Sequence, residues 1–297
     1  MTQKNDPQKS DPKVWLNGSL IPEAEARVSL FDRGYLYGDG LFETVRAYNG
    51  RVFRLGPPLE RLHKGAAAIG LSLPYSDSDI SEAVETLLAA NDLADAYLRL
   101  SISRGIGLGP LPPAETPPTV SIIARPLSLP PAQEYERGWS AILAESLLAP
   151  TQRWAHIKPL SYLDKLVAKR EAQKAGAKEA ILVNCRGEVT EASTSNIFLI
   201  RNRRLLTPPP ASGLLLGITR QAVLEIASEI PLPTEERPLM PDDIHAADEA
   251  FLTNSIIEIM PLTQLDGGSV GSGPGELTRA LQQALTRLIK RELTWSR

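Results

Sequence analysis

The hydrophobic positions of this chain change spacing repeatedly, which indicates strands and helices in alternation. Apolar residues at 14–16 and 20–21 flank Asn17-Gly18, a pair that predicts a tight hairpin. From 57 to 70 the apolar side chains recur at helical spacing, with prolines at the start and a glycine at the end. A second helical stripe covers 80–88, with Asp77 and Ser78 as possible caps. These segments predict a hairpin and two amphipathic helices.

Strands are predicted on both sides of these helices. The glycine-rich stretch D-R-G-Y-L-Y-G-D-G predicts a shaped loop that enters a strand at 41–48, and Asn49-Gly50 turns this strand into another at 51–55. Further on, A-Y-L-R-L-S-I-S alternates polar and apolar positions, which places Tyr97 and Arg99 on the same face of a strand. A buried strand is predicted at 120–124.

The stretch 154–200 is the part of the chain around which the chemistry is organised. It predicts a loop that carries Lys158 and Tyr162, followed by a helix over 164–175. A hairpin is predicted next, with strands near 180–184 and 196–200 and with Glu191 just before the second strand. Later, G-I-T-R opens a helix, and 250–262 predicts a strand, a polar turn and a second strand.

This alternation of elements predicts the α/β or α+β class. A chain of 297 residues is long enough for two domains. The predicted parts are a disordered polar tail at 1–13, an N-terminal α/β domain at 14–124, a proline-rich linker at 125–138 and a C-terminal domain at 139–297.

Composition excludes several classes of protein. A formal net charge of −3 argues against a dedicated nucleic-acid binder, which would carry a basic patch. No apolar run approaches the roughly 20 residues of a membrane span, and the first residues lack the apolar core of a signal peptide. A single cysteine, Cys185, fits a reducing compartment, so a cytoplasmic location is expected. The three histidines show no metal-ligand spacing, so no metal site is expected.

A lysine and a later carboxylate are the groups that a pyridoxal phosphate site requires. The amine forms a Schiff base with the cofactor aldehyde, and the carboxylate keeps the pyridine nitrogen protonated so that the ring accepts electrons. Lys158 and Glu191, 33 residues apart, are such a pair. This chemistry alone does not select Lys158, because most lysines are solvated surface residues.

The selection comes from a resemblance. The segments I-K-P-L-S-Y-L-D-K-L-V-A-K and E-A-I-L-V-N-C-R-G-E-V-T-E-A-S-T-S-N-I-F resemble the signature of the class IV, or fold type IV, aminotransferase family. That family includes branched-chain aminotransferases, D-amino acid aminotransferases and aminodeoxychorismate lyases. The resemblance implies that Lys158 is the Schiff-base lysine and that Glu191 is the partner of the pyridine nitrogen. It also gives Tyr162 a hydrogen bond to the ring hydroxyl oxygen.

The same resemblance implies how the cofactor phosphate is bound. Arg61, in E-R-L, matches the arginine that grips the phosphate, and a planar guanidinium suits that task. Ile218 and Thr219, in G-I-T-R, match positions at a helix start, where free amide groups bind phosphate well. From the local pattern alone, Thr219 could be only an N-cap. Ser255, in T-N-S, takes a further phosphate position.

The substrate residues implied by the resemblance leave two chemistries open. These substrate residues are Tyr35, Thr44, Tyr97, Arg99, Asn254 and Ile256. Tyr97 and Arg99 match branched-chain aminotransferases and favour transamination between an amino acid and a 2-oxo acid. Thr44 and T-N-S followed by large residues look more like the lyases, which release pyruvate from aminodeoxychorismate. A non-catalytic binding protein on the same scaffold is a remote third alternative.

Membership of this family implies an architecture as well as a reaction. The expected protein is a two-domain fold type IV enzyme with pyridoxal 5'-phosphate in the interdomain cleft. Small amino acids and 2-oxo acids are the expected substrates. A homodimer is expected, in which the partner subunit helps to close the site, with no nucleic acid or membrane partner.

Overall fold

The computed structural model describes residues 11–112, 116–145 and 155–295. Most of the predicted tail lies outside these residues. The chain divides into two compact units, one ending at Leu127 and the other starting at Ser128. Both contain helices and sheet, as the predicted α/β or α+β class requires.

The N-terminal unit is built on a six-stranded antiparallel sheet with the strand order β2-β1-β6-β5-β3-β4. Its strands are β1 (Lys13–Leu16), β2 (Ser19–Pro22), β3 (Gly40–Tyr48), β4 (Arg51–Val52), β5 (Ala96–Ser103) and β6 (Thr119–Pro126). Its helices are α1 (Arg33–Tyr37), α2 (Gly56–Ala68) and α3 (Asp77–Ala90).

Strand alternation divides this sheet into a buried face and a more open face. Leu98 and Leu100 of β5 and Val45 of β3 are buried on one face, and the apolar stripe of α2 packs against β3. The side chains between them, including Tyr97 and Arg99, are on the other face and half-buried. This is the division that the period of two in the sequence predicts.

Two local features of this unit differ from the predictions. The glycine-rich stretch before β3 is not all loop, because it contains α1, whose N-cap Asp32 accepts a hydrogen bond from the Gly34 N–H at 2.7 Å. The cap of α3 is Ser76, which forms a capping box with Asp79, whereas the residues one and two positions later were expected to cap it.

The C-terminal unit contains a larger mixed sheet with the order β12-β11-β10-β13-β14-β7-β8-β9, and β15 pairs with β14. Its strands are β7 (Trp139–Glu145), β8 (Glu179–Val183), β9 (Val189–Ala192), β10 (Asn196–Arg201), β11 (Arg204–Thr207), β12 (Thr234–Glu236), β13 (Glu249–Asn254), β14 (Glu258–Leu265) and β15 (Gly268–Ser269). Its helices are α4 (Ala132–Arg137), α5 (Leu163–Lys174), α6 (Ile218–Glu229), α7 (Pro241–His245) and α8 (Glu276–Trp295).

The core of this unit is apolar, and it fixes the pairing of its central strands. Phe198 of β10 and Phe251 of β13 are fully buried cross-strand partners whose rings stack with centroids 5.1 Å apart. β7 and β8 are parallel, and α5 lies in the connection between them. The segment predicted as a linker carries the end of β6 and helix α4.

The predicted hairpin around Glu191 is wrong in its second strand. β8 pairs with β9, so Glu191 lies within a strand, whereas residues 196–201 form β10, which pairs with β11 and β13. The turn between β8 and β9 is short because the Asn184 side chain accepts hydrogen bonds from the N–H groups of Arg186 and Glu188. All four residues of β9, V-T-E-A, are buried although two of them are polar. Because a buried strand is expected to be apolar, the sequence did not indicate a strand here.

Candidate active site

Lys158 and Tyr162 lie on the segment that leads into α5. Lys158 is half-buried, and its Nζ is 5.8 Å from the centroid of the Tyr162 ring. Tyr162 is the N-cap residue of α5, and its hydroxyl donates a hydrogen bond of 2.8 Å to the Ser193 carbonyl oxygen. A hydroxyl has one proton to donate, so in this arrangement Tyr162 offers only its lone pairs to a further partner. The contact ties the lysine segment to the turn after β9.

The Glu191 carboxylate is buried within β9 and already has two donors. Its Oε1 accepts from Lys165 Nζ at 2.6 Å, and its Oε2 accepts from the Leu215 N–H at 3.3 Å. The Glu191 and Lys165 side chains are 8% and 16% exposed. Sequence reasoning missed Lys165, because a lysine in the first turn of a polar helix normally faces solvent.

The charge state of Lys165 follows from this pairing. Burial by itself lowers the pKa of Lys165, but the Glu191 carboxylate, with smaller contributions from Tyr162 and Asp164, more than compensates, so the pKa lies above its ordinary value. Lys165 is therefore an ammonium ion at neutral pH. The free amine is the nucleophilic form, and the raised pKa leaves less of it on Lys165 than on an ordinary lysine.

The turn between β9 and β10 is held by a second buried carboxylate. Glu179 accepts hydrogen bonds from the hydroxyls of Ser193 and Thr194, the second at 2.8 Å. Lys169, one helical turn after Lys165, pairs with Glu179 at 3.0 Å. Two lysines of α5 therefore pair with two buried glutamates of the sheet, and together they fix the helix over the Glu191 strand.

The turn that contains Ser255 is shaped by Asn254. The side-chain oxygen of Asn254 accepts from the N–H groups of Ile256 and Ile257 at 2.8 and 2.9 Å. Its amide nitrogen donates to the Thr194 carbonyl at 3.1 Å. The side chain of Asn254, predicted to bind substrate, is thus engaged in holding this turn against the β9–β10 turn. The predicted strand–turn–strand order is confirmed by β13 and β14.

The start of α6 places Ile218 and Thr219 in its first turn, and both are buried. The N-cap is Gly217, so the alternative that Thr219 is only an N-cap is wrong. A Cβ at Gly217 would lie 2.1 Å from Asn196 Oδ1, which explains why a glycine stands there. The loop before α6 contains Leu215, whose N–H binds Glu191. The helix start is therefore next to the buried carboxylate.

These contacts connect the C-terminal candidates into one neighbourhood, and its donor set fits pyridoxal phosphate. The half-buried amine of Lys158 can form an imine, and the buried carboxylate of Glu191 can be the anionic partner of a ring nitrogen. The N-terminus of the twelve-residue helix α6 offers amide donors for a phosphate. The individual roles of Lys158, Tyr162, Glu191, Ile218, Thr219 and Ser255 stay predictions.

In the N-terminal unit, the candidate substrate residues Thr44, Tyr97 and Arg99 share the open face of the sheet. Thr44 is directly opposite Arg99, and Arg46 is directly opposite Tyr97. The Arg99 guanidinium carbon lies 3.6 Å from the centroid of the Phe42 ring. Sequence reasoning missed Phe42 and Arg46, although alternation along β3 places both beside Thr44.

Arg61 and Tyr35 have surroundings that the sequence did not indicate. Arg61 of α2 makes two parallel hydrogen bonds with the buried Glu43 carboxylate, Nε to Oε1 at 2.8 Å and the terminal nitrogen to Oε2 at 2.6 Å. This bidentate pair fixes the guanidinium and compensates its charge. Tyr35, in the middle of α1, is 71% exposed. The phosphate role of Arg61 and the substrate role of Tyr35 stay predictions.

Comparison with known proteins identifies the family. Residues 40–265 match the profile of the Amino-transferase class IV family, and the chain belongs to that family. It is 38% identical to a Methanocaldococcus jannaschii protein provisionally named a branched-chain-amino-acid aminotransferase, over 91% of this chain and 94% of that one. It is 37% identical to the D-alanine aminotransferase of Bacillus licheniformis, over 94% and 98%.

The fold also matches solved structures of this family. The crystal structure of the Escherichia coli branched-chain amino acid aminotransferase superimposes with a TM-score of 0.90 at 30% identity, covering 94% of this chain and 95% of that one. Class IV aminotransferases depend on pyridoxal phosphate, and solved structures similar to this chain include forms with that cofactor or its derivative. The predicted family, fold, cofactor and enzyme class are confirmed. The lyase alternative gains no support.

Within 11–112, 116–145 and 155–295, no helix is both long and apolar enough to cross a membrane. The same residues contain no group of three or more histidine, cysteine, aspartate or glutamate side chains that could hold a metal ion.

Proposed function

We propose that Lys158, Tyr162, Glu191, the start of α6 and the Ser255 turn bind pyridoxal phosphate, and that the chain uses it to move an amino group between an amino acid and a 2-oxo acid. When bound, this cofactor supplies an aldehyde and a ring that accepts electrons. The observation that carries the proposal is the buried Glu191 carboxylate, paired with Lys165, beside the start of α6 and near the Lys158 segment.

Each residue has a chemical task in this proposal. Lys158 would hold the cofactor through its Nζ, and the same amine, when free, would serve as the general base for the proton on the substrate Cα. The Glu191 carboxylate would be the partner of the ring nitrogen and would favour its protonated form. The amide groups of Ile218 and Thr219, together with Ser255, hold the phosphate. Tyr162 keeps the lysine segment against the β9–β10 turn.

Covalent trapping tests the assignment of Lys158. Borohydride reduction of the purified protein with pyridoxal phosphate should fix the cofactor on the peptide that contains Lys158, as mass spectrometry would show. Lys158→Ala should lose both the trapped cofactor and turnover. Lys64, a surface lysine whose side chain is 75% exposed, provides the control, and Lys64→Ala should behave like wild type. Cofactor trapped equally well on another lysine in Lys158→Ala would refute the assignment.

A substrate panel tests the reaction. Consumption of an amino donor that depends on added 2-oxoglutarate or pyruvate is the expected result. If no amino donor reacts with any 2-oxo acid while aminodeoxychorismate yields 4-aminobenzoate and pyruvate, the reaction is the lyase one. The two results are exclusive, so the panel decides between the reactions.

We also propose that the protein acts as a homodimer, with a second copy covering the apolar surface, defined as residues 28–37 and 106–111. Its two segments are joined by hydrogen bonds from Arg33 to the Gly109 carbonyl at 2.7 Å and from the Gly107 N–H to the Phe31 carbonyl at 3.0 Å. Leu30 and Leu108 are 71% and 66% exposed. Exposed apolar side chains concentrated in this way are typical of an interaction site. A cytoplasmic location rests on the single cysteine.

A further inference from the structure

Lys165 and Glu191 form an ion pair that the catalytic scheme above does not require. Their atoms are 2.6 Å apart, and both side chains are largely shielded from water. Removing two charges from water is costly, and a single unpaired charge in such a place costs more. Each residue therefore constrains the position of the other, and Lys165 is anchored by its place in the first turn of α5.

The second carboxylate oxygen is also held, so Glu191 has one defined orientation. The Leu215 N–H binds Oε2 from the loop that precedes α6. A carboxylate has about four lone-pair positions, so two donors leave room for a third. A ring nitrogen that approached this carboxylate would share it with the Lys165 ammonium.

We propose that Lys165 is a positioning residue: it holds the Glu191 carboxylate for the cofactor's ring nitrogen and, by sharing the negative charge, weakens the hold of that nitrogen on its proton. This inference rests on the proposed function. Lys165 acts through Glu191, to which its Nζ is paired at 2.6 Å, and does not form the bond to the cofactor. Among the described residues, the charged and titratable groups that act on it are Glu191 and Tyr162, which contact it, and Asp164, its neighbour in the chain.

The consequence is measurable on the ring nitrogen itself. Pyridoxal phosphate labelled with a heavy nitrogen isotope at the ring reports protonation of that nitrogen by NMR, without turnover. In Lys165→Met, Glu191 acts on the ring with an uncompensated charge. The pH at which the ring nitrogen loses its proton should therefore rise by about one unit or more relative to wild type, given the strength of one charge at this range in a partly buried site.

The chain offers a matched control on the same helix. Lys169→Met removes the neighbouring pair with the buried Glu179 and should lower thermal stability without moving the ring titration. Lys165→Arg keeps the positive charge and should keep the titration close to that of wild type. If Lys165→Met folds poorly, Lys165→Gln removes the charge but keeps a hydrogen-bond donor, and its ring nitrogen should lose its proton at a higher pH than in wild type.

The outcomes separate this inference from the proposed function. A wild-type protein that does not bind pyridoxal phosphate on Lys158 would overturn both. If the cofactor is bound on Lys158 and Lys165→Met titrates like wild type, the positioning role of Lys165 is wrong and the proposed function stands. An equal shift in Lys169→Met would also refute it, because the effect would then come from general loosening of α5.

Discussion

Glu191 is expected to favour a protonated ring nitrogen, and it also pairs with Lys165. A single substitution would disturb both. Glu191→Gln keeps the shape of the side chain but removes the charge that favours a protonated ring nitrogen. One charge-assisted hydrogen bond contributes about 1.5–3 kcal/mol, so kcat should fall at least about tenfold while the cofactor remains bound. The amide also leaves Lys165 without its carboxylate, so the melting temperature should fall as well.

The two effects can be separated in the Lys165→Met/Glu191→Gln variant. It no longer contains an unpaired buried charge, so much of the stability should return while turnover stays low. Stopped-flow measurement of the first half-reaction isolates the chemical step. An unchanged rate of that step in Glu191→Gln would show that the ring nitrogen does not depend on this carboxylate.

Arg99 is the residue on which substrate preference is expected to depend. Its guanidinium lies over Phe42, its Nε donates to the Ser101 hydroxyl at 3.2 Å, and it has no ion-pair partner among the residues the structure describes. A surface ion pair with Asp or Glu, which would give Arg99 only a structural role, is therefore not seen in the described part of the chain. A cation on this face suits the second carboxylate of glutamate or 2-oxoglutarate.

Arg99→Ala should raise KM for glutamate and 2-oxoglutarate by about tenfold or more, and KM for leucine by much less. Arg125 is the matched control. It lies directly opposite Tyr97 in the sheet, and its side chain pairs with Glu23. Steady-state kinetics with both donors measures the selectivity. If Arg99→Ala and Arg125→Ala change all three KM values alike, Arg99 has no special role in recognising the second carboxylate.

At the scale of elements, the start of α6 depends on the absence of a side chain at Gly217. Gly217→Ala places a Cβ against Asn196 Oδ1, and Asn196 is itself tied to the Leu215 carbonyl. Overpacking of this kind costs about 1–3 kcal/mol, which corresponds to a fall in melting temperature of roughly 2–10 °C. The displaced helix start should also weaken binding of pyridoxal phosphate.

Gly56 supplies the comparison, because it also lies in the first turn of a helix but has open space where a Cβ would be. Gly56→Ala should leave both the melting temperature and cofactor affinity near wild type. Calorimetry and cofactor titration of the two variants would check this. Equal behaviour of the two alanine variants would contradict the steric argument.

The helices and strands around the candidate site show which structural features the sequence predicts well. The helix after Tyr162 was expected at 164–175 and lies at Leu163–Lys174, because periodicity and a following glycine are local signals. The position of Glu191 within a strand was missed, since the pairing of β9 is decided by β8 and by a distant bridge from Val189 to Leu239. The partners Lys165 for Glu191 and Glu43 for Arg61 are long-range contacts of the same kind.

At the scale of the whole molecule, the family signature predicted more than periodicity did. Periodicity supported only an α/β or α+β chain, whereas the signature predicted the cofactor and the class of reaction, and the comparisons confirm both. Neither source predicts the preferred amino acid. That preference depends on side chains such as Arg46 and Phe42, whose neighbours are set by the register of β3 and β5.

The assembly of the protein is expected to depend on the apolar surface of the N-terminal unit. Leu30→Asp/Leu108→Asp introduces two charges there, and a charge buried without a partner is strongly unfavourable, so the second copy should dissociate. Light scattering coupled to size-exclusion chromatography should show a dimer for wild type and a monomer for this variant. Leu129→Asp, at an exposed leucine outside the surface, should remain a dimer. A wild-type monomer, or a double variant that stays dimeric with an unchanged dissociation constant, would show that this surface does not hold a second copy.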